Sequence, residues 1–292
     1  LAICHLEGTL SPTNTGLAGF PRFTAPREVG DALARAGYDV CSTAGNHAAD
    51  RGWQGIVDTL DVLDAAGVGH DGTARTEAER LPSLRDVNGV RVAHLSYTYG
   101  LNGLGRPEPW AVNVTDETSI RADAAWAKEN GAEFVILSLH WGVERHVPPT
   151  AGQEALARSL LEDSDVDLIL GTHAHVIQPI DRIGDKVVVY GMGNSLSNQF
   201  TRWGLPYYYA TEDGVVVHLT VTEVDGRFVV TDTSFTPTTV EWATYRVMAS
   251  DHSLAIGDGA YPDNLAESRA RTVERILMLG VDDVEVTGAA WP

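Results

Sequence analysis

Several polar clusters in this sequence come directly after apolar, strand-like runs. They carry the imidazole, amide and carboxylate groups with which proteins bind divalent metals. The residues concerned are Glu7, Asn46, His47, His140, His173 and His175. Because the carboxyl ends of strands share one edge of an open α/β sheet, and ligand sites form at that edge, we expect these side chains to converge around one or two divalent cations. The pattern does not distinguish among Mn, Zn, Fe, Mg and Ca, and it calls for no organic cofactor.

The segments that must position these clusters alternate between strand-like and helix-like patterns. This order predicts an α/β protein with mixed β-sheets in layers, flanked by helices. The predicted strands are residues 1–6, 38–43, 90–97, 134–139, 166–170, 186–191, 215–224 and 227–236. The predicted helices are residues 26–36, 52–66, 115–130, 150–163 and 263–279. The last two strands flank Asp225-Gly226, a pair that favours a type I′ hairpin turn.

Length and charge narrow the classes of function. The chain has 292 residues, which is enough for one large domain or two modest ones. We predict a compact domain over residues 1–241, with residues 242–292 packed on it as an extension that ends in a helix. A separate lobe after residue 241 is the alternative. With 21 basic and 40 acidic residues the formal net charge is −19, which makes nucleic acid a poor candidate partner.

Location and cysteine state follow from weaker signals. No apolar run approaches the ~18 residues of a membrane span. We expect a cytoplasmic protein, although the chain opens at Leu1 inside a strand-like run, so sequence before it is expected to be missing and a lost leader stays open. Cys4 and Cys41 lie in apolar runs without CxxC spacing, and we expect buried free thiols. His5 is expected to point away from Glu7 and to be structural.

The polar clusters also form ordered motifs over about residues 1–200. These are Leu6-Glu7-Gly8, Asn46-His47-Ala48-x-Asp50, Leu139-His140-Trp141-Gly142, Gly171-x-His173-x-His175-Val176-x-Gln178-Pro179 and Gly193-Asn194-x-Leu196-Ser197. In type, order and spacing they resemble the motifs of calcineurin-like metallophosphatases. The closer resemblance is to the CapA-like branch of that superfamily, which is named for a poly-γ-glutamate capsule protein.

The resemblance implies a metallophosphatase-like fold with a two-metal site. Glu7 would bridge the metals, and His47 would stand beside them as an acid. The other implied ligands are Asn46, His140 and His173 for one metal and His175 for the second. The family's Gly-Asp motif would fall before Leu1, and Glu7 stands where true phosphoesterases have Asp. Both departures count against phosphate-ester hydrolysis, because two-metal hydrolysis depends on fixed metal spacing.

CapA-like proteins encoded beside ribosomal peptides, such as lasso peptides, look like peptide epimerases, so the resemblance favours a metal-dependent epimerase acting on a peptide. Such an enzyme polarises a carbonyl while a proton leaves and returns at Cα. His47 is one candidate for this proton transfer, and His252, expected in a loop after the last strand, is the other. Trp203, Tyr207 and Arg202 are candidates for gripping the substrate. The alternatives are a two-metal phosphoesterase and a non-catalytic CapA-like protein in polyglutamate assembly; the oligomeric state stays open.

Overall fold

The computed structural model describes residues 1–199, 210–259 and 262–287, and the chain divides into two units. The first unit comprises Leu1–His140 and Asp163–Val166, and the second comprises Trp141–Glu162 and Asp167–Pro292. The predicted assignment of residues 1–241 to a domain and 242–292 to an extension stays a prediction. Within the described ranges, no helix combines the length and apolarity that a membrane crossing requires.

The first unit is a set of short parallel strands and helices, followed by a mixed sheet. Its strands are β1 (Ile3–His5), β2 (Thr9–Ser11), β3 (Thr24–Pro26), β4 (Val40–Ser42), β5 (Gly69–Asp71), β6 (Ser83–Val87), β7 (Val90–Thr98) and β8 (Phe134–His140). Its helices are α1 (Glu28–Arg35), α2 (Gly52–Ala66) and α3 (Glu117–Glu129), with a short 3-10 turn at Ala78–Arg80. β1, β4 and β5 pair in parallel in that order, and β2 pairs in parallel with β3. β7 pairs antiparallel with β6 and parallel with β8.

Local sequence signals explain the best-defined helices of this unit. α2 buries Ile56, Leu60 and Leu63, which recur at helical spacing, and it ends at Gly67, whose φ of 75° is the left-handed conformation that glycine adopts freely. α3 begins after Asp116, whose carboxylate accepts a hydrogen bond from the Ser119 amide. α2 therefore has the predicted bounds, whereas α3 begins two residues later and ends one residue earlier than predicted.

The second unit consists of one helix, a small mixed sheet, a long hairpin and two further helices in its described part. Its strands are β9 (Leu168–Thr172), β10 (Ile180–Ile183), β11 (Lys186–Val189), β12 (Asp213–Val224), β13 (Arg227–Glu241), β14 (Arg246–Ala249) and β15 (Val284–Val286). Its helices are α4 (Ala151–Asp163), α5 (Ser250–Ile256) and α6 (Pro262–Ile276). β11 pairs parallel with β9 and antiparallel with β10. β13 pairs antiparallel with β12 and β14 and parallel with β15.

The predicted α/β class with mixed sheets flanked by helices is confirmed. The hairpin is also confirmed, since Asp225 and Gly226 have φ values of 52° and 78°, both positive as a type I′ turn requires. Some boundaries differ. β13 runs on to Glu241, because its last residues pair with β14 although they lack apolar alternation. His252 lies on α5 rather than in the predicted loop.

Cys4 and Cys41 form a disulfide, so the expectation of free thiols is wrong. The parallel pairing of β1 and β4 places the two residues directly opposite each other, with their Cα atoms 4.5 Å apart. They are 37 positions apart in sequence, and only the register of the two strands brings them together. The disulfide thus ties the N-terminal strand to the strand that leads to Asn46 and His47.

Candidate functional site

Asn46 and His140, two of the predicted metal ligands, meet in the first unit beyond β4 and at the end of β8. His140 Nε2 lies 3.1 Å from Asn46 Oδ1, and both residues are almost completely buried. Two donors that each stand about 2.1 Å from one ion are about 3 Å apart, so this pair has the spacing of two ligands of a single cation. Their role as ligands stays a prediction.

His47 is held by a buried carboxylate next to this pair. Its Nδ1 lies 2.7 Å from Asp50 Oδ2, and that same oxygen accepts a hydrogen bond of 2.6 Å from the Phe23 amide. The Asn102 Nδ2 atom lies 3.3 Å from His47 Nε2 and is placed to donate to it. In this arrangement Nδ1 carries the proton toward Asp50, and Nε2 is the nitrogen that accepts. The Phe23 ring packs edge-on against the imidazole, with ring centroids 4.5 Å apart.

His5 belongs to the same group, which the sequence analysis missed. Its ring stacks on His140 with centroids 4.7 Å apart, and its Nδ1 lies 3.0 Å from Ser42 Oγ. The Tyr99 ring is also parallel to His140, with centroids 6.2 Å apart. His5 thus lies against a predicted metal ligand, and the expectation that it points away from Glu7 stays a prediction. Glu7 follows β1 and is half-buried, and its proposed bridging role stays a prediction.

The second unit contains the clearest group of metal-ligand types. One ligand atom from each of Glu144, His173 and His175 lies within 4.8 Å of the others. His173 is buried, His175 is half-buried and Glu144 is exposed. The two histidines were predicted as ligands, whereas Glu144 was not. The prediction that ligands of the first unit and of the second unit share cations stays a prediction.

Backbone strain and one amide fix the histidines of this group. His173 and His175 have φ values of 93° and 55°, which is uncommon for residues other than glycine and concentrates at functional sites. Asn194, in the Gly193-Asn194 motif, has its Oδ1 2.9 Å from His175 Nδ1, while its Nδ2 donates to the Thr211 carbonyl at 2.7 Å. Such a contact orients the imidazole ring of a metal ligand.

Gly171 is required by close packing. A Cβ at this position would overlap the carbonyl of Tyr190 and come within 2.5 Å of Trp141 Nε1. Trp141 Nε1 donates to that same carbonyl at 2.9 Å. Glycine is therefore required where β9 passes this hydrogen bond, immediately before His173.

A second histidine–carboxylate pair lies within the sheets of the first unit. His94 Nδ1 lies 2.9 Å from Asp71 Oδ2, and its Nε2 lies 2.9 Å from Ser138 Oγ. Burial by itself raises the pKa of Asp71, but the hydrogen bond and charge of His94, the charge of Arg85 and the Ser83 hydroxyl outweigh it and hold the pKa below its usual value. Both ring nitrogens of His94 are thus engaged within the fold.

The predicted second catalytic residue and the predicted substrate contacts lie apart from these groups in sequence. His252 is half-buried on α5, and its catalytic role stays a prediction. The expected substrate contacts Arg202, Trp203 and Tyr207 lie outside the described residues.

Comparison with known proteins places the chain in a family. The model of a family described as bacterial capsule synthesis protein PGA_cap matches residues 1–199, and the chain belongs to this family. The capsule biosynthesis protein CapA of Bacillus anthracis is 28% identical over 204 residues, covering 66% of this chain and 49% of that protein. The PGA biosynthesis protein CapA of Bacillus subtilis is 33% identical over 171 residues, covering 56% of this chain and 43% of that protein. The chain thus matches somewhat less than half the length of each of these relatives. The CapA-like resemblance predicted from the motifs is confirmed.

Solved structures with a partly similar fold are calcineurin-like enzymes and nucleotidases. The calcineurin-like phosphoesterase YfkN of Bacillus subtilis has 17% identity and a TM-score of 0.45, covering 84% of this chain and 74% of that one. The 5′-nucleotidase precursor of Thermus thermophilus has 16% identity and a TM-score of 0.48, covering 87% of this chain and 46% of that one. The α/β class of this chain follows from its own strands and helices.

Proposed function

We propose that this chain is a divalent-cation-binding protein that serves in the synthesis of a capsule-type poly-amino-acid polymer. Its family and its relatives support a role in polymer synthesis. Those relatives are named for capsule biosynthesis, PGA biosynthesis and, in Mycobacterium tuberculosis, probable polyglutamine synthesis. The single observation that supports cation binding is the convergence of ligand atoms of Glu144, His173 and His175 within 4.8 Å.

The donor set of this group fits a divalent cation. Two imidazoles and a carboxylate are ligands typical of zinc, manganese and iron sites. Asn194 holds His175 by its Nδ1, so Nε2 is the atom that would face an ion. When bound, a divalent cation supplies Lewis-acid polarisation of a carbonyl or phosphoryl oxygen.

His47 is the proton-transfer group of the proposal. Asp50 fixes the imidazole through Nδ1, and Nε2 is the atom that takes or gives the proton. The Asn102 Nδ2 atom lies 3.3 Å from Nε2, and in the proposal a group of the substrate takes the place of this amide. What favours proton transfer at His47 over a purely structural role is that its Nε2 faces a loop amide at 3.3 Å rather than a hydroxyl within the sheet.

The cation is tested by calorimetric titration of Mn²⁺ or Zn²⁺ into the metal-stripped full chain. We expect saturable binding that is lost in the His173→Ala/His175→Ala variant and weakened about tenfold or more in Glu144→Gln. His146→Ala is the matched control, because His146 is an exposed histidine of the same stretch whose Nδ1 lies 2.7 Å from the Pro148 carbonyl, outside the ligand group. Equal binding by the double variant and the control would refute the site.

A peptide epimerase is the finer candidate, and the arrangement of His47 is what favours it. After metal reconstitution, deuterium uptake at Cα of a glutamyl or ribosomal peptide in heavy water, abolished in His47→Gln, would support the epimerase. Phosphate release from an aryl phosphate without such uptake would support the phosphoesterase. Metal binding with neither reaction would leave the non-catalytic role in polymer assembly.

A further inference from the structure

A cavity of about 500 Å³ lies in the first unit, outside the groups of ligand-type residues. Its lining residues include Arg22 and Arg51, the apolar residues Ala49 and Leu104, and Asp50. The volume is that of a small-molecule site. Neither the predicted metal ligands nor His47 line it.

The two arginines of this cavity differ from several other arginines of the chain. Arg75, Arg80 and Arg85, for example, each form an ion pair with a carboxylate, as expected in a chain with 40 acidic residues. Arg22 and Arg51 have no carboxylate partner among residues 1–199, 210–259 and 262–287, and both are exposed. Arg51 is instead steadied by the Gly16 carbonyl, which accepts a hydrogen bond of 3.0 Å from its Nη1. Two such guanidinium groups in one concavity concentrate positive potential on a protein whose net charge is −19.

Asp50 does not cancel this charge. Its side chain is only 2% exposed, and its Oδ2 is engaged by His47 and by the Phe23 amide. The carboxylate therefore faces the protein rather than the cavity. Arg22 and Arg51 are the cationic residues that line the cavity, and guanidinium groups match carboxylate and phosphate oxygens in geometry.

We propose that this cavity binds the anionic group, carboxylate or phosphate, of an organic ligand. Ala49 and Leu104 provide the apolar surface that an aliphatic arm next to such a group would contact, and Leu104 packs against the apolar cluster beneath it. Asp50 lines the cavity and also contacts His47, and Leu104 follows two residues after Asn102, which contacts the same imidazole. The inference stands on the cavity and its arginines and does not depend on the proposed function.

The test uses nuclear magnetic resonance of the ¹⁵N-labelled full chain at constant ionic strength. Glutarate and inorganic phosphate are titrated separately. We expect saturable shifts of the Arg51, Gly52 and Gly105 amides, and tighter binding of one probe assigns the ligand to the carboxylate or the phosphate class. The absence of saturable shifts at these amides with both probes would overturn the proposal.

Variants separate the cavity from a general charge effect. Arg22→Gln and Arg51→Gln are each expected to weaken binding about tenfold, as loss of one charge-assisted hydrogen bond does. Arg35→Gln removes the same charge from an exposed position at the end of α1 and should change affinity less than about twofold. Because Arg51 also supports the Gly16 loop, the result for Arg22→Gln is decisive. Unchanged affinity in that variant, or equal losses in Arg22→Gln and Arg35→Gln, would refute the assignment, and unchanged Mn²⁺ titration of the same samples would leave the proposed function intact.

Discussion

Two histidine–aspartate pairs in the first unit share one chemistry and differ in what surrounds the second ring nitrogen. In His94–Asp71, that nitrogen contacts Ser138 at 2.9 Å, and the histidine is 0% exposed. In His47–Asp50, the second nitrogen faces a loop amide at 3.3 Å, and the histidine is 8% exposed. The first pair is locked between strands, whereas the second lies beyond the end of β4 with an exchangeable partner.

The difference shows that a paired histidine is not in itself evidence of catalysis. Asp71 is engaged by His94, Arg85 and two donors of Ser83, so its carboxylate joins β5, β6 and β7. Asp50 is engaged by His47 and one backbone amide. We infer that the Asp71 pair stabilises the fold and that the Asp50 pair serves proton transfer. The predictions below test this division.

The largest effect is expected on stability when the buried carboxylates are neutralised. Asp71→Asn should lower the free energy of unfolding by about 3–5 kcal/mol, because it removes one partner from a buried charge network. Asp50→Asn should cost less, about 1.5–3 kcal/mol, because only two donors lose a charged acceptor. Urea unfolding monitored by circular dichroism measures both. Equal losses in the two variants would break the comparison.

Loss of the disulfide should destabilise the region of the His47–Asp50 pair before the region of the His94–Asp71 pair. The Cys4→Ser/Cys41→Ser variant should lose about 2–4 kcal/mol of unfolding free energy. Hydrogen exchange should accelerate first at the Leu6 amide, which bonds to Ser42, because the disulfide joins β1 to β4. Amides of β7 around His94 should keep their protection longer. Simultaneous loss of protection in both regions would contradict a local role for the disulfide.

A related expectation concerns the compartment. Disulfides persist in oxidising compartments and are rare in the cytosol. The structure joins Cys4 to Cys41, and we expect the natural protein to carry this disulfide. A disulfide there would argue against the cytoplasmic location expected from sequence. Mass spectrometry of the natural protein after thiol alkylation measures this directly, and two alkylated cysteines would restore the original expectation.

Acid should weaken the structural pair. The pKa of Asp71 is lowered in the folded protein from an ordinary value of 3.8, so its contribution is fully present above about pH 4 and is lost as the pH falls through the lower folded pKa. The urea midpoint of the unmodified chain should fall over this range. Asp71→Asn should lose that part of the slope. An unchanged slope in the variant would contradict the lowered pKa.

The smallest effect compares the partners of the second ring nitrogens. Ser138→Ala should cost about 1–3 kcal/mol, since it leaves a buried nitrogen of His94 without its hydroxyl. Asn102→Ala should cost less than about 1 kcal/mol, because water can replace the amide at His47. The same urea measurement distinguishes them. A larger loss for Asn102→Ala would reverse the assignment of the two pairs.

Elements with strong local signals could be predicted from sequence, and very short ones could not. α2 has the predicted bounds because its apolar stripe ends at Gly67, and the Asp225-Gly226 turn needed only its two residues. β2 and β3 have three residues each, too few to show alternation. Pro26 ends β3 although it was expected to begin a helix, because proline suits both positions.

The histidines of the candidate metal site could be predicted from sequence, whereas the carboxylate beside them could not. His173 and His175 stood out by spacing, but Glu144 is a single carboxylate in a loop and has no pattern around it. The disulfide depends on strand register, which local spacing does not encode. The stacking of His5 on His140 was not predicted, because it joins residues 135 positions apart through the fold.

The central claim is that Glu144, His173 and His175 bind a divalent cation, and X-ray absorption spectroscopy of the zinc-reconstituted full chain tests it most directly. The account predicts a first shell of nitrogen and oxygen at about 2.0–2.2 Å with the outer-shell scattering of imidazole rings, and it predicts that this scattering is reduced in His173→Ala/His175→Ala. A shell of oxygen alone, or a spectrum that the double variant leaves unchanged, would contradict it.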